Sequence, residues 1–112
     1  MTRPTRFYSS RQEKNIAKVI GGKQVPNSGA IPFGAGDVMT ENWLVEAKTA
    51  TTEKQSFAIK REWLDKNREE AFAMGKEYNA LCFDFGNGSN RYYIIDERTF
   101  KELVHYIKEE EI

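Results

Sequence analysis

One cysteine, one histidine and no long apolar run in 112 residues remove several chemistries at the outset. A lone cysteine excludes an internal disulfide and a cysteine-based zinc cluster, and it suits a reducing compartment. Cys82 lies in the apolar run Ala80-Leu81-Cys82-Phe83, which reads as a buried strand, so a packed core thiol is expected there rather than a nucleophile. His105 falls off the apolar stripe of its segment and is expected at the surface. No Ser/His/Asp or Cys/His arrangement supports a hydrolase of that kind. With no apolar run of membrane length and no signal-like start, a cytoplasmic protein is expected. There is no internal repeat and no low-complexity segment.

Net charge is also absent, with 17 basic and 17 acidic residues, but the two signs are unevenly placed. Residues 1–24 carry Arg3, Arg6, Arg11, Lys14, Lys18 and Lys23 against Glu13 alone, a balance of +5. The remaining residues carry 11 basic and 16 acidic, a balance of −5, with much of the acid in the tail at 109–112. The basic arm, residues 1–9 and the positions just after, is either a phosphate contact or an ordinary solvated terminus.

The length suits one domain with one core. Ser10-Arg11-Gln12-Glu13 has the form of a capping box and predicts a helix from about Arg11 to Ile20, stopped by Gly21-Gly22. The Gly- and Pro-rich stretch 26–36 predicts a loop. A hairpin follows, in which Trp43, Val45 and Ala47 alternate with Leu44, Glu46 and Lys48. Residues 49–55 are polar and predict a mobile loop. A helix is expected from Arg61 to Met74, with Trp63, Leu64, Ala71 and Met74 as its stripe and Asn67 as a polar interruption. Strands are expected over 79–85 and 91–95, joined by a turn at Gly86-Asn87-Gly88-Ser89-Asn90. The last helix, over 98–108, carries Phe100, Leu103, Val104 and Ile107 at helical spacing. The fold class is α/β, a single domain with a mixed sheet flanked by helices.

The stretch from Asp37 to Lys48 carries the chemistry. A two-residue turn at Glu41-Asn42 sets Asp37 directly across from Glu46, and Lys48 shares their face. Two facing carboxylates repel unless a cation lies between them, and a divalent metal is the natural candidate. Each group also has a structural reading. Asp37 follows Gly36 and can serve a turn, while Glu46 and Lys48 can form an ion pair on one strand face. Glu13 precedes Ile16, Ala17 and Ile20 by three, four and seven residues, so it lies on the apolar stripe of its own helix. It either folds back on Ser10 as a capping-box partner or turns inward as a carboxylate that needs compensation.

Glu13, then Val25-Pro26-Asn27-Ser28-Gly29-Ala30, Gly34-Ala35-Gly36-Asp37-Val38 and Leu44-Val45-Glu46-Ala47-Lys48-Thr49 together resemble the PD-(D/E)xK nuclease superfamily. Within it they are similar to the archaeal-type Holliday junction resolvases and their phage-encoded relatives. Gly36 stands where the eponymous proline would be. The resemblance implies an αβββαβ core, here with an extra strand and a C-terminal helix, and spans most of the chain. It implies that Asp37, Glu46, the Ala47 carbonyl and Glu13 hold Mg2+, with Mn2+ as a substitute, and that Lys48 serves the attacking water or the phosphate. It implies Ser28 against the scissile backbone, and a homodimer acting on four-way DNA in a bacterial or archaeal cell. Arg6, Arg11, Lys54, Gln55 and Lys60 are expected DNA-phosphate contacts. For Tyr8 and Phe33, packing is expected over stacking on bases. Two further readings stand beside this one: a nicking or repair endonuclease on duplex or flapped DNA, and a non-catalytic nucleic-acid-binding module whose acidic cluster is a salt-bridge patch.

Overall fold

Five strands form one mixed sheet in the order β1-β2-β3-β4-β5. The elements are α1 (Thr5–Ile20), β1 (Lys23–Gln24), β2 (Asp37–Met39), β3 (Trp43–Lys48), α2 (Arg61–Ala73), β4 (Tyr78–Phe83), β5 (Tyr92–Ile94) and α3 (Glu97–Glu110). The computed structural model describes residues 5–25, 37–86 and 90–110, with the side chains of 5–10 and 109–110 excepted. The α/β class and the expected order of elements are both observed. No helix among the described residues is long and apolar enough to cross a membrane.

The first helix departs from expectation. It begins at Thr5, so Ser10 lies inside it and the expected capping box does not form. The supposed arm is helical from Thr5 onward. The reason is packing: Gln12 and Ile16 are both buried, so the helix is held there by its inner face rather than by a local cap. Gly21 ends it at a φ of 70°, a left-handed conformation that glycine adopts freely. At Gly22 a Cβ would meet the Met39 carbonyl oxygen at 2.5 Å, so the chain passes close against β2 only without a side chain.

The β2–β3 hairpin has the register that a two-residue turn dictates: Asp37 opposite Glu46, Val38 opposite Val45, Met39 opposite Leu44. Thr40 and Trp43 close the turn. The Thr40 amide donates to the Trp43 carbonyl, and the Trp43 amide donates to Thr40 Oγ1, both at 3.0 Å. Lys76 Nζ clamps the same turn by donating to the Thr40 carbonyl at 2.7 Å and the Glu41 carbonyl at 3.2 Å.

Strands β3 and β4 are parallel and joined through α2, with Glu46 beside Leu81 and Ala47 beside Cys82. Alternation along β3 then divides the sheet into two faces. Val45 and Ala47 pack with Ile16, Val38, Ala80 and Cys82 on the α1 side. Cys82 is fully buried, as expected of a core thiol. Leu44, Glu46 and Lys48 face α2, where Lys48 Nζ lies 4.3 Å from the centre of the Trp63 ring.

The polar interruption Asn67 is fully buried. Its Nδ2 donates to the Leu44 carbonyl at 3.4 Å, and its Oδ1 accepts from Asn79 Nδ2 at 2.8 Å. It therefore ties α2 to both central strands. Met74, expected on the apolar stripe, is instead the exposed residue that caps α2. Asn67→Ala removes both bonds, one to a buried carbonyl and one to a half-buried amide, and is expected to destabilise the fold by about 2 kcal/mol. Urea titration checks this, and an unchanged midpoint would show that the linkage is idle.

Candidate functional site

Asp37, Glu46 and Lys48 meet on the α2 face of the sheet. The hairpin register places the two carboxyl groups opposite each other. Lys48, one residue pair further along β3, has its Nζ 4.0 Å from Glu46 Oε1. Glu46 is 4% exposed, and its Oε2 is buried with no hydrogen-bond partner among the described residues. A buried carboxylate oxygen with nothing donating to it is costly.

Electrostatics follow from this crowding. Burial, reinforced by the facing Glu46 and by Glu70, pushes Asp37 up from 3.8 to about 7. Glu46 is also raised, chiefly by burial, with Lys48 opposing. Lys66 lowers both, and Glu13 adds the smallest upward push on Asp37.

Comparison with protein-family models, with curated proteins and with solved structures found no match.

Glu13 is buried on α1, and its Oε2 accepts a bond from Gln24 Nε2 at 3.4 Å. Its charge reaches Asp37, but no group of three or more His, Cys, Asp or Glu side chains among the described residues stands ready to hold an ion. The pair Asp37 and Glu46 is the acidic centre. Ala47 follows Glu46 on β3, with its side chain in the opposite, apolar face. Ser28 and the side chain of Arg6 lie outside the described residues, as do Phe33 and the side chain of Tyr8. Arg11 is exposed on α1, and Lys54 and Gln55 are exposed in the segment between β3 and α2. That segment is tied down rather than loose, since the Lys54 amide donates to the Phe85 carbonyl at 2.8 Å. Lys60 is exposed at the start of α2, its Nζ 5.7 Å from the Trp63 ring centre.

Three contributors escaped the sequence reading. Gln12 Nε2 donates to the Lys48 carbonyl at 2.9 Å, fixing the end of β3 to α1. Lys66 and Glu70, paired at 3.7 Å one turn apart on α2, act on both carboxyl groups. Spacing held a clue for Glu70, which follows Trp63 by seven residues and Asn67 by three, and so lies on their side of the helix.

The donor set fits a divalent cation. Magnesium takes oxygen ligands, keeps several waters and is held by one or two carboxylates. Asp37 and Glu46 supply that number, and Glu46 Oε2 has capacity to spare.

The raised Asp37 has a direct consequence for stability. Its folded value lies above the unfolded one, so the folded state holds the extra proton between pH 4 and 7. Without divalent ions, stability is then expected to fall as pH rises through that range. Asp37→Asn removes this loss and is expected to be more stable than the parent at pH 8 by on the order of 2 kcal/mol. Thermal melts in chelator at pH 5 and pH 8 test it, and equal stability of the two proteins at pH 8 would contradict it.

Proposed function

We propose that this chain is a metal-dependent DNA endonuclease that resolves four-way junctions by paired, symmetric phosphodiester hydrolysis. The observation that carries the proposal is the face-to-face pair of half-buried Asp37 and buried Glu46, with Lys48 beside it. The preference for four-way DNA and the homodimer rest on the resemblance of Glu13, the Ser28 loop, Asp37 and Glu46-Ala47-Lys48 to junction resolvases. The matching order of elements, helix, three strands, helix, strand, supports the same reading.

Hydrolysis of a phosphodiester requires a nucleophilic water, neutralised charge on the phosphate and help for the departing oxygen. A divalent ion, Mg2+ or Mn2+, supplies all three when bound. Asp37 and Glu46 would hold it, with the Ala47 carbonyl and Glu13 as further oxygen donors, directly or through water. Burial raises Asp37 to about 7, and only its ionised form would serve as a ligand, so ion binding would strengthen as pH rises through that value. Lys48 keeps its ammonium between the Glu46 carboxylate and the Trp63 ring. From there its donors serve the attacking water or a phosphate oxygen. Arg6, Arg11, Ser28, Lys54, Gln55 and Lys60 bind the DNA backbone, so recognition follows shape rather than base sequence.

Asp37→Asn is expected to lower junction cleavage by at least ~10²-fold while leaving junction affinity within about threefold. The assay compares magnesium, calcium and chelator on a synthetic four-way junction and on a linear duplex of the same sequence. Full cleavage by Asp37→Asn in magnesium would end the catalytic assignment. Equal cutting of the duplex would move the substrate to nicked, flapped or linear DNA. Calorimetry with no magnesium-dependent heat, unchanged in Glu46→Gln, would favour a non-catalytic binding module.

A further inference from the structure

Lys48 carries its ammonium on a flexible four-carbon stem, which can place the charge in many positions. The neighbouring carboxylate does not fix it alone. Nζ is 4.0 Å from Glu46 Oε1, beyond hydrogen-bond reach. The centre of the Trp63 ring is 4.3 Å away, well inside the roughly 6 Å over which a ring face attracts a cation. Lys60 also approaches that ring, but at 5.7 Å and from an exposed position. The Lys48 side chain is only 16% exposed. Its contact is therefore the closer and the drier of the two, and desolvated contacts of this kind are the stronger ones.

The ring is itself held in place. Phe57 packs on Trp63 with centroids 6.5 Å apart and stacks on Phe83 at 5.1 Å. Phe83 meets Phe85 edge-on at 5.5 Å. Phe83 is also the β4 register partner of Lys48 and shares its face of the sheet. The row of rings thus starts and ends at Lys48: across the ladder to Phe83, over Phe57, and through Trp63 back to the ammonium. Strand β4, the segment between β3 and α2, and α2 itself converge on one side chain.

We propose that Trp63 is the positioning residue for Lys48, its ring holding the ammonium beside the acidic pair when Glu46 is committed to a divalent cation. The reason lies in what each neighbour can do. A carboxylate that ligates a cation has little charge left for a lysine, and the cation repels an ammonium. A tryptophan ring takes up no proton and is no ligand for a hard cation, which prefers oxygen. The negative face of the ring attracts the ammonium whether or not Glu46 is engaged. The N–H donors that point away from the ring stay open to the attacking water or a phosphate oxygen.

The role given to Lys48 rests on the nuclease reading, whereas its seat on the ring is measured without it. In the full chain, free of metal and DNA, the ring current of Trp63 is expected to move the Lys48 ε-methylene protons upfield of an ordinary lysine in the NMR spectrum. Lys48→Arg assigns the signal, and Trp63→Leu is expected to abolish the displacement. Saturating magnesium is expected to leave it in place. An ordinary shift in the parent chain, or one that becomes ordinary on adding magnesium, would overturn the proposal. For cleavage, increasingly fluorinated tryptophans placed at position 63 weaken the negative face of the ring and keep its shape. The kcat on a four-way junction is expected to fall stepwise along that series, by about tenfold at its end, with KM and Tm unmoved. Trp63→Phe is expected to retain more kcat than Trp63→Leu. A flat series, or a loss confined to KM as for a ring that stacks on a base, would refute the positioning role. A parent chain that cuts no DNA would sink the nuclease reading, while the NMR signal still decides whether Trp63 holds the ammonium.

Discussion

Two carboxyl groups that repel each other are held opposite one another by the backbone ladder of a single hairpin. Everything around the site answers to that constraint. The turn at Glu41-Asn42 and the clamp from Lys76 hold the register. A slip of one residue would send Glu46 into the apolar face now occupied by Val45 and Ala47. Lys48 and the α2 pair Lys66 and Glu70 tune the charge, and burial holds a proton on Asp37 near neutrality.

The sheet separates structural from chemical work by residue parity. Along β3, odd positions build the dry layer under α1, and even positions carry charge or seal the layer under α2. Asn67 belongs to the second layer yet makes a structural contact: it bonds to Leu44 and Asn79 on the two central strands. The acidic pair is thereby surrounded by groups whose positions are fixed from both sides.

Much of this was legible in the residues, because hairpin register is local arithmetic. A two-residue turn and strict alternation suffice to pair Asp37 with Glu46 and to put Lys48 on their face. The order of elements followed from glycine stops and apolar periodicity. The start of α1 did not, because Ser10 and Glu13 satisfy a local capping pattern that the tertiary packing of Gln12 and Ile16 overrides. Lys66 and Glu70 were not legible because their approach depends on how the α2 crossover lies over the sheet, which no short spacing encodes. The stripe on α3 was legible as a helix. Its exposure was not, since periodicity reports that a face is apolar and not what covers it.

The parallel pairing of β3 with β4 orders events during folding. The hairpin closes over a handful of residues, whereas Trp43 meets Tyr78 only after the whole α2 crossover has been placed. Local contacts form early and such long closures late. In a chain assembled in that order, Asp37 and Glu46 first face each other in water, as two ordinary ionised acids. The docking of α2 then strips their solvent, and Asp37 takes up its proton in that step. With no cation bound, the docking of α2 is thus linked to proton uptake at Asp37 and is favoured on the acid side of neutrality.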